Sequence, residues 1–238
     1  MKHSIDYQTS CNTKRWIAYF DLLGITRLVK SGDWPAVFEA LSRSVEELKR
    51  HNHYDKEVSI AWFSDTFIVY VQDDSLKSFS AVSTISRFFS FYLLQASIPL
   101  RGAIACDWFY ADHTNSIFFG QGLVEAYEYG EAQDWIGIIL CPSAEDKLRG
   151  EEELINSLDF ISTDIPYKTK GRFKHNLPAC ILGTWSNDGR NECLGKIREM
   201  LTRIDSSEVA KKYQKTIEFL EKYVDRWKEV ERGSDNLK

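Results

Sequence analysis

The sequence predicts an α/β (α+β) fold, a palm in which a mixed sheet is covered by helices, and three observations carry that prediction. Apolar runs of strand length alternate with longer segments of helical periodicity, in the order β-α-β-β-α-β-α-β. Two of the strand runs end on an aspartate: Tyr19-Phe20-Asp21-Leu22-Leu23-Gly24-Ile25-Thr26 and Trp62-Phe63-Ser64-Asp65-Thr66-Phe67-Ile68-Val69. The 238 residues, 43% hydrophobic and 13% aromatic, suffice for one large core with a helical appendage.

Arg15 to Leu23 is a first strand of aromatic and β-branched residues. A helix follows from about Thr26 to His51, with Leu28, Val37, Phe38, Leu41, Val45 and Leu48 at near-helical spacing and a restart at Trp34-Pro35. Glu57 to Phe63 and Thr66 to Gln72 form a hairpin whose tip presents Asp65. An amphipathic helix covers Ser75 to Ala96, and Leu100 to Tyr110 and Trp135 to Leu140 are strands separated by a helix from Gly122 to Tyr129. Beyond Pro142, residues Ser143 to Asn156 are helical, and Phe160 to Ser162 and Ala179 to Trp185 are strands. A linker at Ser186-Asn187-Asp188-Gly189 then separates a main α/β domain, residues 1–188, from a helical extension, residues 189–238. In that extension Leu194, Ile197 and Leu201, then Tyr213, Ile217, Leu220, Val224 and Trp227, define packing faces.

Composition narrows the function. Thirty basic against 35 acidic residues leave a net charge of −5 and no basic stripe, which argues against nucleic acid as a partner. The cysteines Cys11, Cys106, Cys141, Cys180 and Cys193 lie far apart without CxxC spacing, so neither a disulfide framework nor a zinc site is expected, and a cytoplasmic setting is. The polar N-terminus has no secretory pattern. The most apolar window, Phe88 to Leu100, falls short of the roughly 20 residues that span a bilayer, so no membrane association is expected. No GxSxG motif supports hydrolase chemistry.

The two aspartates are the informative residues. Either alone fits a helix or turn cap. Two charges at the ends of apolar strands are costly unless paired, hydrogen-bonded or bound to a cation, and two carboxylates brought together repel unless a divalent ion lies between them. A Mg²⁺ site is therefore the leading expectation.

The strand ending in Asp21, the turn Leu22-Leu23-Gly24-Ile25-Thr26, the hairpin Ser64-Asp65-Thr66, the strand Leu100-Arg101-Gly102-Ala103-Ile104 and the stretch Phe119-Gly120-Gln121-Gly122-Leu123-Val124-Glu125-Ala126-Tyr127 resemble the catalytic domain of class III nucleotide cyclases. The resemblance covers about Arg15 to Trp185. It implies a ferredoxin-like palm in which two aspartates, here Asp21 and Asp65, hold two Mg²⁺ or Mn²⁺ ions while the 3′-hydroxyl of a nucleoside triphosphate attacks its own α-phosphate. It also implies that the Leu22 carbonyl ligates a metal and that Leu23, Gly24, Ile25 and Thr26 receive the phosphates, Gly24 by permitting close approach. Homodimers with composite sites are implied too. Arg101, Lys170 and Lys174 are candidate phosphate ligands, the last two from the basic stretch Lys168, Lys170, Arg172 and Lys174.

The departures bear on the base. The two purine-reading positions of the family fall on Ala61 and Ile117, neither of which offers a hydrogen bond, and the catalytic Asn and Arg fall on Val124 and Glu128. Retained metal aspartates without purine readers resemble the bacterial pyrimidine cyclases of the Pycsar anti-phage system. That likeness implies UTP as substrate, cyclic UMP as an antiviral signal and a cyclic-nucleotide-responsive effector as indirect partner. The alternatives are a purine or cytidylate cyclase, or a degenerate palm that binds nucleotide or a partner without turnover.

Overall fold

In the computed structural model, residues 13–30, 32, 34–51, 58–169, 171–180 and 187–235 are described. Seven strands form one mixed sheet in the order β2-β3-β1-β4-β7-β9-β8: β1 is Lys14–Leu22, β2 Ser59–Phe63, β3 Thr66–Tyr70, β4 Leu100–Trp108, β7 Gly137–Leu140, β8 Ile161–Asp164 and β9 Asn176–Cys180. Pairing is antiparallel except between β4 and β7. A separate hairpin joins β5 (Tyr110–Asp112) to β6 (Ile117–Phe119).

The helices are α1 (Ile25–Lys30), α2 (Trp34–His51), α3 (Leu76–Gln95), α4 (Gln121–Ala132), α5 (Pro142–Lys147), α6 (Glu152–Ser157), α7 (Asn187–Leu201) and α8 (Ser207–Asp235). They cover both faces of the sheet, which explains why β1 is apolar almost throughout rather than alternating. Trp16, Ala18, Phe20 and Leu22 enter the core under α2 and α3, whereas Ile17 and Tyr19 enter the core shared with α4, α7 and α8. Ser75 caps α3, its hydroxyl accepting the Ser78 amide, and Asp73 accepts both the Ser75 amide and the Ser78 hydroxyl.

Cys193, Leu194, Ile197, Met200, Tyr213 and Leu220 from α7 and α8 are buried in the second core. The hydroxyl of Thr216 on α8 accepts the Ile136 amide at 2.9 Å just before β7. The side chains of Val224 and Trp227, together with residues 181–186 and Cys11, lie outside the described residues.

Three local expectations are corrected. The helix expected over Ser143 to Asn156 is two, α5 and α6, because Gly150 takes a φ of +91° between them. The linker expected at Ser186-Gly189 gives way to α7, which begins at Asn187. The strand expected to Tyr110 ends at Trp108, and β5 and β6 turn back through Thr114-Asn115-Ser116, where Asp112 accepts the Asn115 amide. Among the described residues no helix is long and apolar enough to cross a membrane.

Candidate active site

The register of the sheet assembles the site. One row crosses four strand pairings, Phe63 opposite Thr66, Thr66 opposite Asp21, Asp21 opposite Arg101 and Arg101 opposite Gly137. Asp65 lies at the β2–β3 tip, one residue from Thr66, and its carbonyl accepts the Leu22 amide at 2.9 Å. Main-chain pairing thus places the two aspartate positions side by side, at the edge where β1 gives way to α1. Ser64, with a φ of +58°, turns the hairpin.

Asp21 is held from the opposite strand. The Arg101 Nε donates to Asp21 Oδ2 at 2.9 Å and a terminal guanidinium nitrogen lies 2.6 Å from the same oxygen. The guanidinium also donates to Glu131 Oε2 at 2.7 Å and to the Gln133 carbonyl at 3.1 Å. Gln133 itself is fully buried, donating to the Gly102 carbonyl and accepting from the Trp135 indole. The Tyr19 hydroxyl donates to Glu131 Oε1 at 3.2 Å, and Lys168 Nζ stands 3.9 Å from Glu131 Oε2. Burial pushes the Asp21 carboxyl above its ordinary pKa, the Arg101 charge opposes that shift and Glu131 reinforces it. Burial, together with the charges of Arg101 and Lys212, depresses the Lys168 ammonium.

The turn after Asp21 is anchored by the Leu23 amide, which donates to the Pro99 carbonyl at 2.8 Å. Gly24 has a φ of +84°, a left-handed conformation that favours glycine, and no protein atom stands within 4 Å of where a Cβ would be. The amides of Ile25 and Thr26 open α1, where helix geometry leaves them without intrahelical acceptors.

The remaining candidates are dispersed. Ala61 is half-buried on β2 and Ile117 is exposed on β6. Lys174 pairs with Glu145 on α5, beyond the Leu140 end of β7 and away from the Arg101–Gly137 row, so within one chain it is not beside Asp21. Lys170 lies outside the described residues. Val124 is exposed, and Glu128 accepts from Arg172 at 2.9 Å. Sequence reasoning missed Glu131 as a neighbour of Asp21 and named Lys168 only within the basic stretch. The only available signal was the spacing of Glu131 after the α4 stretch, which carries meaning once Arg101 is known to face Asp21.

The donor set suits a hard divalent cation. Two carboxylates and a main-chain carbonyl are oxygen ligands, and Mg²⁺ is commonly held by one or two carboxylates with water and substrate phosphates completing its shell. Among the described residues no three His, Cys, Asp or Glu side chains converge as a self-sufficient cage. Asp21, Asp65 and the Leu22 carbonyl are the groups that could hold such an ion, and Asp21 is already engaged by the Arg101 guanidinium.

Neither a family profile nor any curated protein sequence matches the chain. Solved structures do. The catalytic core of a rhodopsin-guanylyl cyclase with converted specificity, in complex with ATPαS, matches with a TM-score of 0.52 at 11% identity, over 72% of this chain and 97% of that one. The adenylyl cyclase CyaB from P. aeruginosa matches at 0.51 and 13% identity, over 74% and 96%. The guanylyl cyclase Cya2 matches at 0.50 and 10% identity, over 73% and 95%. At such identities the likeness is one of architecture, and the chain has the α+β palm fold of class III adenylyl and guanylyl cyclase catalytic domains.

Proposed function

We propose that the protein is a nucleotide cyclase that converts a nucleoside triphosphate, UTP by preference, to its 3′,5′-cyclic nucleotide and pyrophosphate with Mg²⁺ or Mn²⁺. The observation that carries this reading is the main-chain link between Leu22 and Asp65, which sets two aspartates side by side on a cyclase palm.

In this reading the carboxylates of Asp21 and Asp65 and the Leu22 carbonyl hold the ions. Bound there, a pair of divalent ions lowers the pKa of the 3′-hydroxyl and neutralises the triphosphate and leaving group. Leu23 and Gly24 shape the turn, and the amides of Ile25 and Thr26 donate to phosphate oxygens. Ala61 and Ile117 leave the base edge without a polar reader, which removes the hydrogen bonds that would enforce a purine. Arg172, between β8 and β9, is tethered to Glu128 and so brings a cation beside the helix that carries the arginine in the family. Lys174 contributes across the interface of a homodimer, for which the exposed Phe63, Val124 and Tyr127 offer apolar contact area. A cytoplasmic setting and an effector that responds to the cyclic product complete the proposal, with defence against phage as its context.

The test is to incubate the purified protein with each of the four ribonucleoside triphosphates and Mg²⁺ or Mn²⁺ and resolve the products by mass. Cyclic UMP is the expected product; no cyclic product from any of the four, with the protein dimeric, rejects the proposal. A second reading, a palm that binds nucleotide without turnover, is favoured by the guanidinium already neutralising Asp21. It predicts nucleotide retained unaltered through purification.

A further inference from the structure

Arg101 is placed to do more than balance charge. Its guanidinium is almost wholly buried, with a side-chain exposure of 7%, and its donors are directed to Asp21, Glu131 and the Gln133 carbonyl, so it cannot swing into water when a cation approaches. Glu131, 32% exposed, accepts from Tyr19 as well, and is thereby fixed against the far side of the fork. Asp21 and Glu131 thus share one buried positive charge.

The geometry points to Arg101 as the resident counter-ion of Asp21, a positioning residue that fixes the carboxylate and lowers its affinity for divalent cations, with Glu131 drawing the guanidinium away and raising that affinity. This deepens the reading of Asp21 as a metal ligand and rests on it. The physical basis is charge arithmetic. Arg101, Asp21 and Glu131 sum to one negative charge; without Arg101 they sum to two, and without the Glu131 charge to none. Even under the dielectric of bulk water, a unit charge next to a divalent ion changes its affinity by about tenfold, and more where water is excluded.

The experiment is a Mn²⁺ titration of nucleotide-free protein, with free Mn²⁺ read by electron paramagnetic resonance, on wild type, Arg101→Met, Glu131→Gln, the double variant and Asp21→Asn. Arg101→Met is expected to tighten Mn²⁺ binding at least tenfold, Glu131→Gln to weaken it about tenfold, and the double variant to return within about threefold of wild type. Weaker or unchanged binding in Arg101→Met, with binding lost in Asp21→Asn, overturns the counter-ion role while leaving Asp21 as a ligand. Unchanged binding in Asp21→Asn removes the metal reading itself, and the counter-ion role with it. Should Arg101→Met not fold, the partly exposed Glu131→Gln decides alone, and unchanged or tighter binding there refutes the inference.

Discussion

Gly102 sits one residue past Arg101 in β4, opposite Phe20 in β1, and replacing it by alanine probes how closely the site depends on the approach of these two strands. A Cβ at this position falls 2.8 Å from Phe20 Cε1 and closer still to Phe20 Cδ1 and the Tyr19 carbonyl oxygen, whereas ordinary contact begins at 3.4 Å. Phe20 is fully buried and packs edge-on against Phe89, so its ring has no room to retreat, and a main-chain carbonyl cannot move without its strand. The strands must part by several tenths of an ångström. Overpacking of this kind costs about 1–3 kcal/mol, and weakening one ladder hydrogen bond adds about 1 kcal/mol. A loss of about 3 kcal/mol is expected, equivalent to a fall in Tm of about 6–12 °C for a chain of this size. Because Arg101 reaches Asp21 across the same pairing, turnover should fall further than the folded fraction does. Urea denaturation followed by tryptophan fluorescence measures the first effect, and product formation per folded molecule the second. A variant within about 0.5 kcal/mol of wild type refutes the strand-proximity argument.

Asp159→Ala leaves Arg87, 1% exposed, without the carboxylate 2.6 Å away and should destabilise by about 3–5 kcal/mol in the same urea assay. Thr216→Val deprives the buried Ile136 amide of its acceptor and should cost about 1–3 kcal/mol, lowering Tm in calorimetry with little change in far-ultraviolet dichroism. Hydrogen bonds from Ser78 and Ser75 hold the Asp73 carboxyl below its ordinary pKa, so its contribution to stability is present above pH 3.8 and disappears as pH falls through the depressed value. Asp73→Asn should therefore flatten the acid limb of a Tm-against-pH profile, and an unaltered limb contradicts that assignment.

Much of this architecture is written locally. The strand β1 and the helices α3 and α4 follow from runs and periodicities that few alternatives satisfy, and the Asp21 and Asp65 positions stand out because an acidic residue in aromatic company is expensive. The β5–β6 hairpin was hidden because its strands are three residues long, too short for alternation to register. What sequence could not supply is the register between β1 and β4, since pairing across 80 residues depends on how both faces bury. The Arg101 fork exists through that register, and so does the inclusion of Glu131, which α4 delivers only after packing on Tyr19. Lys174 shows the converse. A basic stretch reads alike along its length, yet the chain turns so that Lys168 approaches Glu131 while Lys174 meets Glu145 at the other end of the sheet.

In the proposed reaction Asp21 and Asp65 act together on one triphosphate. Pyrophosphate release from UTP by wild type, Asp21→Asn and Asp65→Asn, each at equal dimer fraction, tests that claim most directly. Each substitution alone is expected to lower turnover at least about a thousandfold while dimerisation and the circular dichroism spectrum stay as in wild type. Turnover that survives in either variant contradicts the claim.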